Sequence, residues 1–123
     1  MNIWLVIAAV NGFIAVAAGA FGAHGLQGRL DPHAMEIFNK GAQYQMVHAL
    51  AMGLAALAAR QSQSSAAGMA AMLFFIGIIL FSGSLYALAL SGVRAIGFVT
   101  PFGGLSFLLG WAALAWAAAK GMS

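Results

Sequence analysis

The chain has 123 residues, of which 63% are hydrophobic and 6% charged, and five basic against two acidic side chains give it a net charge of +3. About a quarter of the residues of a soluble domain are charged, so this composition excludes an ordinary water-soluble protein and indicates a membrane protein. The basic residues form no patch, which excludes a nucleic-acid partner, and the lack of cysteine excludes disulfides and thiolate metal sites.

Four uncharged stretches of the chain are each long enough to cross a bilayer. A transmembrane helix needs about 20 apolar residues, and residues 3–23, 41–59, 66–90 and 95–119 meet that requirement. Lipid cannot satisfy open backbone groups, so we expect helices. The sequence therefore predicts an all-α membrane protein, a single domain over residues 1–123, with four transmembrane helices in a compact bundle. The basic residues are too evenly divided between the two sides to fix the orientation of the termini.

The first span, residues 3–23, ends in small residues and resembles a secretory signal peptide in that respect. A signal peptide begins with a basic region, and no basic residue precedes this stretch. We expect it to be retained as a span.

Residues 26–40 form the longest predicted segment outside the hydrocarbon core. Asp31 followed by Pro32 is typical of a helix start, with the aspartate as N-cap and proline in the first turn. We expect a short interfacial helix that begins here and leads into the second span. Residues 60–65 are predicted as a polar turn between the second and third spans, and residues 91–94 as a tight turn between the third and fourth.

The second span contains the most informative polar residue, His48, with Tyr44 one turn earlier on the same face. Ionisable groups inside a span are rare and usually face the bundle interior. Two interpretations are open: His48 is a neutral, hydrogen-bonded link between helices, or it contacts a ligand or carries a proton.

The remaining polar residues gather toward the same end of the predicted bundle, because an even number of spans brings those ends to one side. Thr100 and Pro101 either cap the fourth helix or place a proline kink just inside it. A ligand-binding cluster is the hypothesis for this half of the bundle, and its candidate residues are His24, Tyr44, His48, Ser82, Ser84 and Tyr86.

His24 and His48 could together coordinate a metal ion in that cluster. Two histidines fall short of the three or four ligands that a metal usually takes, and His33, Met35 or Glu36 would have to contribute. We therefore predict neither a metal site nor a cofactor. The alternative without a function for His24 is an interfacial side chain in contact with water.

Small residues recur at helical spacing in every predicted span. Such residues let transmembrane helices approach closely, and they indicate a tight bundle or self-association rather than a pore. The tryptophans Trp4, Trp111 and Trp116 are expected in interfacial or packing positions. The glycines predicted to pack between helices are Gly19, Gly22, Gly83, Gly103 and Gly104.

Four segments in a fixed order carry a resemblance to a known family. They are residues 19–26 (GAFGAHGL), Tyr44 with His48, residues 81–86 (FSGSLY), and residues 100–104 (TPFGG) followed by Trp111. Together they closely resemble the domain-of-unknown-function 423 family of small bacterial inner-membrane proteins, which is related to a mitochondrial transmembrane protein of animals. The resemblance implies four spans and an inner-membrane location, and it assigns no activity and no catalytic residue.

Three functional classes follow from these patterns. We favour a structural or accessory protein of the lipid bilayer that forms a homo-oligomer or joins a larger membrane complex. The alternative is a binding protein or transporter for a small molecule, a lipid or an ion that uses the polar cluster. An enzyme ranks last, because acid–base chemistry needs positioned titrating groups and the only two carboxylates, Asp31 and Glu36, lie in the connecting segment.

Overall fold

A computed structural model describes residues 1–62 and 65–121, and in these ranges the chain forms four long helices. They are α1 (Ile3–Leu26), α2 (Pro32–Ser62), α3 (Ser65–Ser91) and α4 (Thr100–Gly121). A π-helical turn interrupts α1 at Ala17–Gly22 and α3 at Ile78–Ser82, and a 3₁₀ turn at Arg94–Phe98 precedes α4. The predicted all-α architecture is confirmed.

Three segments are long and apolar enough to span a membrane: Ile3–Leu26, Ser65–Ser91 and Arg94–Lys120. The second helix, α2, has the length to do so, but the two glutamines and the histidine among residues 43–48 lower its mean hydropathy. It packs along α1 on one side and α3 on the other, so it lies at the same depth as its neighbours. That α2 is a fourth crossing stays a prediction, which the packing of its two neighbours supports.

The start of α2 is the one that the sequence predicts. The backbone N–H of Ala34 donates to Asp31 Oδ1 at 2.8 Å, and Pro32 occupies the first turn, where its missing N–H costs no hydrogen bond. The expected lead-in helix runs on into the second span, since α2 continues without a break from Pro32 to Ser62. Of the predicted polar turn at residues 60–65, Gln63 and Ser64 lie outside the described residues.

The connection between α3 and α4 is longer than the predicted tight turn at residues 91–94. Gly92 adopts a left-handed conformation (φ +72°) that ends α3, and the 3₁₀ turn then carries the chain to Thr100. The α-helical part of the fourth span therefore begins at Thr100, because Pro101 fits best in a first turn, and the candidate span Arg94–Lys120 contains the predicted residues 95–119. Of the two open interpretations, the one with Pro101 at the start of the helix is correct.

The core lies between α2, α3 and α4, where alanines from two helices surround a few large side chains. The fully buried side chains at its centre include Met52, Ala55, Ala71 and Phe74, with Phe107 entering from α4. The first helix packs chiefly on α2, and within the described residues α1 and α4 form no packed interface. The bundle is therefore compact on one side and has α1 attached along the outer face of α2.

Candidate functional site

His48 is buried near the middle of the bundle, and both of its ring nitrogens have partners. The indole Nε1–H of Trp111 donates to His48 Nε2 at 3.1 Å, and His48 Nδ1 lies 2.8 Å from the carbonyl oxygen of Tyr44. Because an indole can only donate, His48 Nε2 must be an acceptor and the ring proton must be on Nδ1. The geometry therefore requires a neutral imidazole in one tautomer, which links α2 to α4.

Aromatic side chains enclose this histidine on two sides. The Phe107 ring stacks on the imidazole with centroids 3.5 Å apart, and Phe74 and Trp111 contact it at an angle. Tyr44 is partly exposed; its ring packs on Phe81 with centroids 4.5 Å apart. Tyr44 therefore provides a hydrogen bond to His48 through its backbone carbonyl, and its ring lies nearly parallel to the imidazole with centroids 6.0 Å apart.

A second polar network crosses from α3 through α2 to α1. The Tyr86 hydroxyl donates to Gln45 Oε1 at 2.7 Å, Gln45 Nε2 donates to Asn11 Oδ1 at 3.1 Å, and Asn11 Nδ2 donates to the Ile7 carbonyl at 2.9 Å. Each side-chain nitrogen and oxygen atom of this network has at least one partner, so the network links three helices.

Of the two buried serines in α3, Ser84 has hydrogen-bond partners and Ser82 has none among the described residues. Ser84 Oγ donates to the Phe81 carbonyl at 2.9 Å and lies 2.5 Å from Thr100 Oγ1, which joins α3 to the first turn of α4. Ser82 is completely buried, and its hydroxyl has no hydrogen-bond partner among the described residues. An unpaired buried hydroxyl is unfavourable, and among the described residues Ser82 is the buried member of the predicted cluster without a partner.

His24 lies apart from the other candidate residues. Its side chain is exposed near the end of α1, where neighbouring Gly22 faces the ring of Phe38. Phe38 precedes His48 by ten residues, about 15 Å along a helix, so the two histidines cannot share a ligand. Within the described residues no three His, Asp or Glu side chains are placed to hold a metal ion.

The predicted packing glycines differ widely in how closely they are approached. A methyl group on Gly103 would overlap the backbone of Phe81, and one on Gly22 would lie 3.1 Å from the Phe38 ring. Gly19 and Gly104 have looser neighbours, at 3.7 and 3.9 Å, and Gly83 is exposed and faces no other helix. Three further glycines in tight contacts are Gly41 against Tyr86, Gly77 against Phe107 and Gly110 against Phe74.

A groove runs along the outer side of the α1–α2 contact, and we name it the open seam. Small residues of α1 and an exposed amide of α2 line it, and a methyl group on Gly12 would meet nothing within 4 Å. The Gln43 amide is exposed there and has no hydrogen-bond partner among the described residues. The residues that define the open seam are Gly12, Gly19, Gln43, Met46, Leu50 and Gly53.

Comparison with known proteins gives a consistent assignment. The family described as "Protein of unknown function (DUF423)" matches residues 18–104, which contain both polar networks except Asn11, Ile7 and Trp111. The chain belongs to the DUF423 family. It is 40% identical over 121 residues to the UPF0382 membrane protein YwdK of Bacillus subtilis, covering 98% of each chain. No solved structure matches it.

Two relatives from Gram-negative bacteria extend this comparison. A UPF0382 membrane protein of Haemophilus influenzae is 44% identical over 123 residues, covering 99% of this chain and 98% of the relative. The UPF0382 inner membrane protein YgdD of Escherichia coli is 46% identical over 108 residues, covering 88% and 82%. This DUF423 chain is accordingly a bacterial inner-membrane protein with several candidate spans, and the predicted family and location are confirmed.

Three residues that matter in this DUF423 fold are absent from the predicted site: Asn11, Gln45 and Trp111. Asn11 is the only strongly polar residue inside the first span, and Gln45 adjoins Tyr44 in the second. Polar residues inside a span usually pair with one another, so their rarity was the available signal. Trp111 carried no such signal, because a tryptophan in a span is usually a packing residue.

Proposed function

We propose that the protein is a structural or accessory component of the inner membrane that self-associates as a symmetric dimer through the open seam. The unpartnered amide of Gln43 carries this proposal. In this dimer a second copy of the chain occupies the open seam. The dimer presents a surface through which a larger membrane complex can assemble.

The position of Gln43 favours a partner from a second copy. It lies one turn after Lys40 and lines a surface cleft with Glu36 and Lys40, so it is at the end of the second predicted span that is near the membrane surface. Water is scarce in the outer part of the hydrocarbon core, so an amide there gains from a hydrogen bond to another chain.

The shape of the open seam fits a helix of a second copy. Its walls carry Gly12 and Gly53, and the space above Gly12 is empty, so another helix backbone can approach closely. A carboxamide is both donor and acceptor and can pair with an identical group. A two-fold axis along the bilayer normal would place the two Gln43 side chains at equal depth, as such pairing requires.

The interior polar groups support a structural role in preference to chemistry. Both nitrogens of His48 are engaged, and the Tyr86–Gln45–Asn11 chain is internally satisfied. The two carboxylates are exposed at the start of α2, away from these networks. We therefore propose that the protein is not an enzyme, since no described pair of titrating groups is placed for acid–base work.

A binding or transport role retains one specific observation in its favour. The buried hydroxyl of Ser82 has no protein partner among the described residues, so it could hold a water molecule, an ion or a polar ligand. A density map with a bound species at Ser82 Oγ would support this second candidate, whereas an empty, apolar surrounding would remove it.

The dimer is tested by energy transfer between donor- and acceptor-labelled copies in vesicles, measured while lipid dilutes the protein. We expect the wild type to associate and Gln43→Leu to weaken association about tenfold, on interhelical hydrogen-bond values of about 0.6–1.7 kcal/mol for each of two symmetric bonds. Gln61→Leu, at the exposed end of the same helix, is the matched control and should associate normally. Transfer that stays at the random level for the wild type would overturn the proposal.

A further inference from the structure

A second cleft lies at the end of the bundle where α1 and α3 end and α2 begins. It has a volume of about 560 Å³ and lies between the connection after α1, the first two turns of α2 and the connection after α3. The described ends of three helices meet there, so the cleft opens at the membrane surface rather than inside the hydrocarbon core. Its position differs from both polar networks and from the open seam.

Two arginines from separate connections converge on this cleft. Arg29 follows α1 and Arg94 follows α3; both are exposed, and neither forms an ion pair with any described residue. Asp31, the acidic residue among those that line the cleft, already accepts the N–H of Ala34 at the start of α2. The guanidinium groups are therefore free to bind an anion, and a guanidinium presents a planar fork of donors that matches phosphate.

Beneath this charged rim the cleft is apolar. Ile37 of α2 and Leu88 of α3 are half-buried in its wall, and Ala89 is buried behind them. A small soluble anion would use only the rim, whereas an amphiphile would use rim and wall together. We infer that this cleft binds the phosphate headgroup of an anionic phospholipid through Arg29 and Arg94, with the start of an acyl chain against the Ile37–Leu88 wall.

The test is lipid retention by the intact protein, measured by native mass spectrometry after incubation with phosphatidylglycerol. The variant is Arg29→Gln with Arg94→Gln. The control is Arg60→Gln with Lys120→Gln, which removes the same charge from the opposite end of the bundle. A basic side chain near an anionic membrane surface contributes about 1 kcal/mol, so we expect retention to fall about fivefold for each cleft arginine and to stay at the wild-type level in the control.

Two further measurements separate lipid from free phosphate and folding from binding. Excess glycerol phosphate should leave the bound lipid in place, and equal phosphatidylcholine should be retained less than phosphatidylglycerol. Unchanged thermal unfolding of both double variants in detergent should show that the exposed substitutions leave the fold intact. Lysine at both positions should restore part of the retention, because it keeps the charge but lacks the fork.

Any of three results overturns the inference. The first is wild-type retention of phosphatidylglycerol by the Arg29 and Arg94 double variant, and the second is an equal loss in the Arg60 and Lys120 control. The third is complete displacement of the lipid by glycerol phosphate, which would reassign the cleft to a soluble phosphate compound. None of these results depends on whether the protein forms a dimer.

Discussion

The α3–α4 contact and the α1–α2 contact are built from the same kinds of residue and differ in how completely they are filled. Along α3–α4, Gly103 and Gly110 lie against Phe81 and Phe74, and Ser106 donates to the Leu73 carbonyl at 2.7 Å. Along the outer side of α1–α2, the space above Gly12 is empty and the Gln43 amide has no partner among the described residues. One contact is complete within the chain, and the other has room for a further helix.

This difference shows why small residues alone do not define a function. In lipid, glycine and alanine allow close approach, but they do not determine whether the approaching helix belongs to the same chain. The polar groups decide that question, since each one inside the hydrocarbon core needs a partner. Among the described residues the polar groups of the interior have their partners, except Ser82, whereas the outward-facing Gln43 has none.

The largest expected effect tests the filled contact. Gly103→Ala would force its methyl group into the backbone of Phe81, which cannot rotate away, and we expect a loss of about 3 kcal/mol in unfolding free energy. Gly104→Ala is the control, because its methyl group would lie 3.9 Å from the Phe81 ring. Unfolding in mixed detergent and dodecyl sulfate micelles measures both. Equal losses in the two variants would show that α3 and α4 are not this close.

A second pair of substitutions compares the two faces of α2 directly. Gln45→Leu removes the partner of both Tyr86 and Asn11, and we expect it to lower the unfolding free energy of the monomer by about 2 kcal/mol on intramembrane hydrogen-bond values. Gln43→Leu should leave monomer stability unchanged or slightly raised, because it replaces an unpaired amide by an apolar group. The same micelle unfolding experiment applies, and a loss for Gln43→Leu as large as that for Gln45→Leu would contradict the comparison.

The hydrogen bond between Trp111 and His48, which links α4 to α2, should contribute less to the unfolding free energy. Trp111→Phe keeps an aromatic ring over Phe74 but removes the donor to His48 Nε2, so we expect the unfolding free energy to fall by about 1 kcal/mol. His48→Leu should cost a similar amount through the same bond. Trp116→Phe, on the exposed side of α4, is the control and should be neutral. Unchanged unfolding of both site variants would remove the role of His48 as a link between helices.

The smallest effect concerns the one unsatisfied interior group. Ser82→Ala removes a buried hydroxyl that has no protein partner in the described part of the chain, and alanine also favours helix, so we expect stability to rise by about 0.5 kcal/mol. Ser84→Ala should instead lower stability, because Ser84 is bonded to Thr100. A marked loss for Ser82→Ala would indicate a bound water or ligand and would favour the binding role.

Much of the fold follows from local signals, whereas the partners of the polar groups do not. Apolar length predicts the helices, and Asp31 with Pro32 predicts the start of α2, because spans and caps depend on a few neighbouring residues. The pairing of Gln45 with Asn11 and Tyr86 depends on the register of three antiparallel helices, which a single sequence does not state. The same register separates His24 from His48, although a common end of the bundle suggested that they were close.

The packing role of individual glycines was also hard to predict, because a glycine in a span can either lie against a neighbouring helix or face outward. Gly103 and Gly104 are adjacent and equally suited to packing by sequence, yet only Gly103 lies against the backbone of Phe81. Gly83 shares the spacing of a packing glycine but faces outward. Which side of a helix meets a neighbour is set by tertiary packing, and a helix that is apolar on all sides gives no amphipathic pattern from which to read it.

Thiol crosslinking in membranes tests the open seam most directly, since the natural chain contains no cysteine. Leu50→Cys places one thiol on the open seam and Leu108→Cys places one on the outer face of α4, at sites with nearly equal exposure of 66% and 68%. With a short bismaleimide reagent, we predict a covalent dimer from Leu50→Cys and little from Leu108→Cys. Equal crosslinking at both positions, or none at Leu50→Cys, would contradict a dimer that forms through the seam.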